Sequence, residues 1–377
     1  MKILIFNWQD ITNPLAGGAE VHLHETFSRI AKRGHEVTLY CSSFPGAAKE
    51  ENVNGIRVIR EGSRYLFNYY VPVRYLTRFR KENYDLVIDD NNKLPFFTPL
   101  YVREPLMMMV HHLFGNGIFQ EAPFPFALYV YMMENLGYAV ARSHHVPCIV
   151  CSPSKSTKAD LIERGFAPDS VSLVDTCVDP EKYHPDSAAQ NPTPLIGYVG
   201  RLKKYKSVDQ LIQAFAIVKK EFPALRLAIV GDGDYRKPLE ALARRLGIID
   251  SIEFAGFVSE EQKVKYYQRL WFAVLTSLKE GWGLTVTEAN ACGKAVIASN
   301  VPGLRDAVQD GSTGLLYEFG NIQDLAQKIR LLMTDGKLRA SLSIEAVRWA
   351  NSFGWDNTAD QVEELLERYL SLTTKSK

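Results

Sequence analysis

The chain has 377 residues, and 46% of them are hydrophobic. That length accommodates two domains, each with a full hydrophobic core. Because 44 basic residues are spread among 43 acidic ones, the formal net charge is only +1 and gives no electrostatic reason to expect a nucleic-acid partner.

Short apolar runs alternate with helix-like segments along the first part of the chain. A helix is expected from Gly18 to Arg33, and strands are expected at KILIFNW, HEVTLYC, YDLVIDD, PLMMMVHH and CIVCS. The polar, proline-containing stretch Asp186–Pro194 then interrupts the alternation and is typical of a linker. We therefore expect a first domain over residues 1–187.

The same alternation resumes after the linker and predicts a second domain over residues 188–354. Strands are expected at IGYVG, LRLAIVG, IEFAG, FAVLTS and AVIAS, with helices near Val208–Glu221 and Tyr235–Leu246. Repeated strand–helix units imply parallel sheets with helices on both faces, so each domain should be a doubly wound, Rossmann-like α/β fold. Apolar residues at helical spacing predict a final amphipathic helix at about 355–372.

The stretch from Glu280 to Ser299 carries the strongest sign of a ligand site. Two acids, Glu280 and Glu288, bracket a Gly-X-Gly loop that opens a helix, and an apolar strand follows. Gly281 and Gly283 have no Cβ atoms to keep an anion from the backbone, and the N–H groups at a helix start attract phosphate. Two solvated loop acids are the alternative interpretation, but the strand–loop–helix–strand context favours a ligand site.

These residues resemble the retaining glycosyltransferases of family 4, which have the GT-B fold of two Rossmann-like domains facing a central cleft. The resemblance extends to FNWQDITNPLAGGAEVHLHETFSRIAKRGHEVTLY near the start and to VGRLKKYKSVDQLIQAF in the second domain, and it covers roughly Met1–Leu370. Thr176 and Cys177 stand where the family usually has an Asn-Gly pair. The resemblance implies an acceptor-side first domain, a nucleotide-sugar-binding second domain and a final helix that packs back on the first.

Arg201 and Lys206 follow the strand IGYVG of the second domain. A guanidinium and an ammonium at the carboxyl end of a parallel strand can neutralise a diphosphate without a metal. Taken alone, two basic loop residues are more often simply solvated. In the family, the matching Arg and Lys hold the donor diphosphate and assist departure of the leaving nucleotide, and the resemblance implies the same roles here.

Two features of the first domain also match the family. Gly17 and Gly18 lie between the first strand and the first helix, the place of a Rossmann phosphate loop, although the full G-x-G-x-x-G pattern is absent. A simple tight turn is the alternative interpretation. His111 ends the strand PLMMMVHH and aligns with the family's active-site histidine, and the adjacent His112 is the alternative.

We expect no catalytic metal. Asp232–Asp234 and Asp89–Asp90 are the nearest approaches to a DxD-type metal site, but the first is typical of a strand-to-helix turn with an acidic N-cap. Cys148 and Cys151 form a CxxC inside an apolar run, which favours core packing over metal ligation. Neighbouring histidines on a strand face opposite ways and are not expected to share one ion. These pairs are His22/His24, His111/His112 and His144/His145.

The resemblance implies transfer of a glycosyl unit from a UDP- or GDP-linked sugar to a hydroxyl acceptor, with retention at the anomeric carbon and without a cofactor. In this scheme Arg201 and Lys206 stabilise the leaving diphosphate, and His111 acts at the reacting sugar. Glu280 orients sugar hydroxyls, and Glu288 accepts hydrogen bonds from the ribose. The further residues expected to contact the donor are Gly17, Gly18, Val258, Gly281, Trp282, Gly283 and Leu284.

Two other functions remain open for the same architecture. A sugar-nucleotide 2-epimerase would turn over the donor without an acceptor. A non-catalytic subunit would only bind nucleotide, and the presence of Glu280, Arg201 and Lys206 argues against it. For the transferase, glycan, lipid-linked saccharide and cell-envelope polysaccharide synthesis are all compatible with the sequence.

A dense aromatic and Met-rich stretch runs from Phe114 to Tyr138. Packing in the core or in a helix on a domain face is its leading interpretation, and a lipid-linked acceptor with peripheral contact at the inner face of the membrane is the alternative. No run approaches the ~20 apolar residues that cross a bilayer, and no signal-peptide pattern opens the chain, so we expect a cytoplasmic protein. The stretch includes Phe119, Phe124, Phe126, Tyr129, Tyr131, Met132 and Met133.

Overall fold

A computed structural model of the protein describes residues 1–92, 94–143 and 148–375, with side chains to residue 371. The pair His144/His145 lies outside the described residues. The chain divides into two compact units. The first unit is Met1–Thr176 with Trp355–Lys377, and the second is Cys177–Gly354.

The described part of the first unit contains one eight-stranded sheet. Its strands are β1 (Lys2–Phe6), β2 (Glu36–Ser42), β3 (Glu50–Val53), β4 (Ile56–Glu61), β5 (Leu86–Asn91), β6 (Leu106–Val110), β7 (Cys148–Ser152) and β8 (Val171–Leu173). Their order is β3-β4-β2-β1-β5-β6-β7-β8, and the pairings of these described strands are parallel except for β3 with β4. The strand order reverses between β1 and β5, where doubly wound sheets bind ligands.

Helices cover both faces of this sheet. They are α1 (Gly18–Lys32), α2 (Phe67–Thr77), α3 (Ile118–Glu121), α4 (Phe124–Ser143), α5 (Lys155–Glu163) and the C-terminal helix (Trp355–Lys375). Side chains of β1 alternate between the faces, as the period of a strand requires. Ile3 and Ile5 belong to a core cluster with Phe27 of α1, whereas Leu4 and Phe6 belong to the cluster on the other face.

The C-terminal helix packs against α1 in the first unit. Its buried residues Ala359, Val362 and Leu366 join the cluster that also contains Phe27. Their spacing of three and four residues places them on one face of the helix. The core of the first unit is therefore completed by a segment that follows the second unit in the sequence.

The aromatic stretch of the first unit divides between core and surface. Ala127, Val130 and Tyr138 of α4 are buried. Several of its large apolar side chains are exposed, so packing in the core does not account for them, and they lie on a helix at the surface of the unit. The exposed residues are Phe119, Phe124, Phe126, Tyr129 and Met132, and Tyr131 and Met133 are half-buried. Within the described residues, no helix combines the length and apolar character needed to cross a membrane.

The second unit is built on a six-stranded sheet. Its described strands are β9 (Leu195–Val199), β10 (Arg226–Val230), β11 (Ile252–Gly256), β12 (Phe272–Leu275), β13 (Val296–Ser299) and β14 (Gly314–Tyr317). The order is β11-β10-β9-β12-β13-β14, with parallel pairing throughout these strands. The order reverses between β9 and β12, so the loops after these two strands are the expected place for a ligand.

Helices again pack on both faces of the second sheet. They are α6 (Val208–Lys219), α7 (Arg236–Arg245), α8 (Glu260–Arg269), α9 (Leu284–Ala291), α10 (Leu304–Ala307), α11 (Ile322–Thr334) and α12 (Gly336–Asn351). Ile196 and Tyr198 of β9 pack in one core cluster, and Leu195 and Val199 pack in the other. The predicted pair of doubly wound α/β domains is confirmed in both units.

Candidate functional site

The loops after β9 and β12 meet at the carboxyl edge of the second sheet. Arg201 and Lys206 lie on the loop that follows β9, and Glu280 lies on the loop that follows β12. Hydrogen bonds to the backbone join the loops: the Thr276 hydroxyl donates to the Lys206 carbonyl at 2.9 Å, and the Leu278 N–H donates to the Tyr205 carbonyl at 2.8 Å. The fold thus brings three predicted site residues to the point where the strand order reverses.

Lys206 and Glu280 form an ion pair at this edge. The Lys206 ammonium donates to Oε1 of Glu280, and the Ser277 hydroxyl donates to the same oxygen at 2.6 Å. Burial opposes the charged form of Lys206, but the Glu280 carboxylate outweighs it, so the pKa of Lys206 is raised above its ordinary value. Lys206 is therefore a fixed positive charge at neutral pH.

Arg201 is exposed at the same edge, while its backbone is held in place. Its carbonyl accepts a hydrogen bond from the Tyr198 hydroxyl at 3.0 Å. The nearby Gly-Asp-Gly-Asp sequence contains Gly231 and Gly233, which are needed for close packing. A Cβ at Gly231 would lie 2.0 Å from the carbonyl oxygen of Gly200. The glycines allow the β10 loop to approach the β9 loop closely.

The described residues contain no group of three or more His, Cys, Asp or Glu side chains placed to hold a metal ion. Cys148 and Cys151 lie on β7 as free thiols, and Cys151 packs in the core of the first unit. Burial raises the pKa of both thiols.

The Gly-X-Gly loop opens α9, as the sequence predicts. Gly283 has φ of +90° and precedes the first helical residue, Leu284. A Cβ at Gly283 would lie 2.8 Å from a methyl group of Leu304, so both its backbone angle and its surroundings require glycine. The Trp282 indole N–H donates to the Thr287 hydroxyl at 3.0 Å, which folds the ring over the first turn of α9.

The other predicted donor contacts of the second unit lie near this loop or on the neighbouring β11 loop. Gly281 is half-buried between Glu280 and Trp282. Val258 is half-buried after β11 and packs on the same core cluster as Trp282 and Leu284.

Glu288 is buried in α9 and accepts hydrogen bonds from three side chains. Tyr183 and Lys263 donate to Oε1 at 3.1 and 2.8 Å, and Tyr267 donates to Oε2 at 2.8 Å. These three partners are not among the residues predicted from the sequence. Lys263 and Tyr267 are four residues apart on α8 and so share a face, which is a detectable signal, but Tyr183 comes from a distant segment.

His111 belongs to a buried polar network in the first unit. Its Nε2 lies 2.6 Å from Oδ1 of Asp90, and the Asn7 amide donates to Oδ2 of Asp90 at 2.9 Å. These residues come from the carboxyl ends of β1, β5 and β6, at the strand-order reversal of the first sheet. His112 instead lies edge-on to the ring of Phe114, at 5.0 Å between centroids. The geometry favours His111 over His112 as the residue with a preorganised role.

The charge on His111 is favoured by its acidic surroundings. Burial alone would lower the pKa of His111, but the carboxylate of Asp90, with a smaller effect from Glu20, raises it above the ordinary 6.5. The ring of His22 lies 5.4 Å from that of His111, and burial lowers the pKa of His22 to about 3. The site therefore pairs one charge-prone histidine with one that stays neutral.

The double glycine forms the start of α1. Gly17 is the N-cap residue with extended backbone, and Gly18 is the first helical residue. The carboxylate of Glu20 accepts from the Gly17 N–H at 2.7 Å and from the Asn92 amide at 2.6 Å. Glu20 thus anchors the glycine loop, a function that the spacing of a capping box could have indicated.

Comparison with known proteins agrees with this architecture. Residues 179–349 match the family model of glycosyl transferases group 1, and residues 16–182 match that of glycosyltransferase family 4. A D-inositol 3-phosphate glycosyltransferase from Thermobifida fusca is 32% identical over 385 residues, which cover 92% of this chain and 87% of that protein. The chain spans about half the length of other curated relatives, such as that from Nocardiopsis dassonvillei, which is 33% identical over 220 residues and is covered to 51%, against 54% of this chain.

Solved structures show the same fold at lower identity. Sucrose-phosphate synthase from Thermosynechococcus elongatus has a TM-score of 0.84 at 21% identity, with 98% of this chain and 99% of that chain covered. Anabaena HepE, solved in complex with UDP-glucose, has a TM-score of 0.78 at 20% identity, with 98% and 100% covered. The fold is that of the GT-B glycosyltransferases. Within that class, the chain belongs to the group 1 glycosyl transferases of family 4.

Proposed function

We propose that the protein transfers a glycosyl unit from a UDP- or GDP-linked sugar to a hydroxyl acceptor, with retention at the anomeric carbon. The observation that carries this proposal is the Lys206–Glu280 pair, held beside Arg201 and the start of α9 at the strand-order reversal of the second unit. Family membership and the UDP-glucose complex of HepE support a nucleotide-sugar donor. In this proposal the second unit binds the donor and the first binds the acceptor.

Lys206 is suited to stabilise the departing diphosphate. An ammonium has three N–H donors, and its bond to Glu280 uses one of them. The remaining donors and the exposed guanidinium of Arg201 can contact phosphate oxygens as negative charge develops on the leaving group. These two cations then stabilise the negative charge of the leaving group, as a divalent ion does in other transferases. We therefore propose a metal-independent reaction.

Glu280 is proposed to orient the sugar. Lys206 and Ser277 hold its Oε1 in place, so the direction of the carboxylate is fixed before a sugar hydroxyl donates to it. The N–H groups from Gly281 to Leu284 are the proposed partners of the donor phosphate, because α9 presents them at its N-terminus. His111, oriented by Asp90, is proposed to donate a hydrogen bond to the reacting sugar.

Glu288 is proposed to accept one hydrogen bond from the ribose. A carboxylate accepts about four hydrogen bonds, and three are already made to Tyr183, Lys263 and Tyr267. The Tyr183 hydroxyl has a single proton and also lies 2.7 Å from Glu260. A ribose hydroxyl can therefore displace Tyr183 from Glu288 while Tyr183 keeps a partner.

The test is a panel of UDP- and GDP-linked sugars with glycan and lipid-linked saccharide acceptors, with products identified by mass and anomeric configuration by NMR. We expect a retained linkage and full activity in EDTA. Isomerised donor in the absence of any acceptor would instead identify a 2-epimerase. Nucleotide binding without turnover of any donor would identify a non-catalytic subunit, and strict dependence on a divalent ion would contradict the metal-free reaction.

The acceptor and the cellular location belong to the same proposal. A glycan or a lipid-linked saccharide fits a role in glycan or cell-envelope polysaccharide synthesis, and nucleotide sugars are made in the cytoplasm, where we place the reaction.

A further inference from the structure

The exposed residues of α4 from Phe124 to Leu136 form an uncharged apolar face on the first unit. Every exposed position from Phe124 to Leu136 is aromatic, aliphatic, Met or Pro. Phe124 is 68% exposed and Met132 is 60% exposed. The members are Phe124, Pro125, Phe126, Leu128, Tyr129, Met132 and Leu136. A surface helix of a globular domain normally carries charged residues on its solvent side. From Phe124 to Leu136 α4 carries none there, and its exposed Arg142 lies in the last turn.

The exposed side of α2 and the residues just before it have the same character. Between Tyr65 and Leu76, every exposed position is again aromatic or aliphatic, and Tyr65 is 85% exposed. The members are Tyr65, Leu66, Tyr69, Tyr70, Val73 and Leu76. This second row was not predicted from the sequence.

The two rows belong to one surface. Tyr69 on α2 lies near Tyr129 on α4, and its hydroxyl raises the pKa of Tyr129. Both helices also pack on Pro95: the Asn68 amide donates to its carbonyl at 3.1 Å, and a Cβ at Gly137 would lie 2.6 Å from its ring. We name the exposed residues of these two rows the α2/α4 face. Scattered exposed apolar residues are normal, but a contiguous set of this kind marks an interaction surface.

Positive charge flanks this face. The segment from Gly62 to Lys81 contains five basic residues and no Asp or Glu. Arg64 precedes α2, and Arg80 and Lys81 follow it; none of the three takes part in the ion pairs found among the described residues. The acid of α4, Glu134, is buried and bound to Arg164.

We propose that the α2/α4 face docks the first unit on an anionic lipid surface. Its aromatic and Met side chains enter the boundary between headgroups and acyl chains, and Arg64, Arg80 and Lys81 meet lipid phosphates. Apolar insertion combined with a few cations gives reversible, interfacial binding without a spanning helix. This inference goes beyond glycosyl transfer and does not depend on the donor site.

The experiment is flotation of the full chain with vesicles of phosphatidylcholine alone and with vesicles that also contain phosphatidylglycerol. We expect binding to the anionic vesicles that high salt weakens only in part. The double variants Phe124→Ser/Phe126→Ser and Tyr69→Ser/Val73→Ser should each lower the vesicle partition coefficient by about tenfold or more, since buried apolar area drives insertion. The matched control is Phe257→Ser, which removes an aromatic residue of 85% exposure from the second unit and should leave binding unchanged.

Wild-type protein that fails to float with either vesicle would overturn the proposal, as would double variants that float as well as wild type. Sedimentation velocity tests for a dimer. If wild-type protein is a dimer that does not bind vesicles, and both double variants are monomers, a second copy covers the face instead. Circular dichroism and nucleotide affinity establish that the variants are folded. Lys206→Ala should still float, so a failure of the proposed transferase activity is distinguishable from a failure of lipid docking.

Discussion

Lys206 and Glu280 form an ion pair at the edge where the strand order of the second unit reverses. Replacing Lys206 by Ala removes a fixed cation from the proposed diphosphate site, and we expect kcat/KM to fall by about 10²–10³-fold. Lys203→Ala is the matched control, because Lys203 lies on the same loop but pairs with Asp234 at 2.5 Å. Steady-state kinetics with the preferred donor compares the two, and equal losses would contradict a specific role for Lys206.

Substitutions of Glu288 and of Glu280 are expected to affect different steps, nucleotide binding and turnover. Glu288→Gln should chiefly weaken the binding of free nucleotide diphosphate, because it disrupts the charged cluster with Lys263 and the proposed ribose contact. Glu280→Gln should lower turnover more than nucleotide affinity. Tyr183→Phe should preserve nucleotide affinity, since Glu288 keeps its other two donors. Calorimetric titration measures the affinities, and matching losses in the two Glu variants would refute the separate roles.

Asp90 controls the protonation of His111. Because the Asp90 carboxylate raises the pKa of His111 above 6.5, Asp90→Asn should lower that pKa, and NMR titration of the imidazole should show it. The protonated pair stabilises the folded state fully below pH 6.5 and loses this contribution as the pH rises through the raised pKa. Asp90→Asn should therefore reduce the free energy of unfolding more in acid than in alkali.

At the scale of elements, Gly303 positions the loop that carries Glu280. A Cβ at Gly303 would lie 2.2 Å from the carbonyl oxygen of Glu280. Gly303→Ala should displace this loop and lower kcat/KM on the order of 10²-fold, as small misplacements of catalytic groups do. Gly311→Ala is the control, because Gly311 also has positive φ but a Cβ there meets nothing within 4 Å. Both variants carry backbone strain, so comparable activity in the two would argue against positioning by Gly303.

The elements that could be predicted from the sequence are those in which apolar residues recur at a regular local spacing. Alternating or continuous apolar runs identified most of the parallel strands, and glycines identified the start of α9. The helix α2 was missed because Pro72 lies inside it and normally ends a helical pattern. The strand β3 was missed because its sequence, Glu50–Val53, is polar and lies at the sheet edge.

The candidate site was predictable only where its residues are close in sequence. Glu280, the Gly-X-Gly loop and Glu288 form one segment, so their geometry follows from a loop and one helix. The partners of Glu288 come from the segment around Tyr183 and from α8, and the network of His111 joins the ends of three strands. Such contacts depend on the order of strands in the sheet, which local periodicity does not encode.

At the scale of the whole molecule, the C-terminal helix is a structural part of the first unit. Leu366 is fully buried against its core, and Leu366→Ala should lower the free energy of unfolding by about 2–5 kcal/mol. Glu367→Ala, one residue along on the exposed side, should change it by less than about 0.5 kcal/mol. Hydrogen exchange would localise the loss to the first unit. Destabilisation confined to the second unit would contradict this assignment.

The same helix sets an order of events during synthesis. The ribosome makes residues 1–176 first, then the whole second unit, and only afterwards the segment from Trp355 that supplies Val362 and Leu366. The second unit is continuous in sequence and can close its core as soon as it emerges. Until the C-terminal helix is made, part of the apolar surface of the nascent first unit stays uncovered. In this protein the amino-terminal half is therefore the last to finish folding.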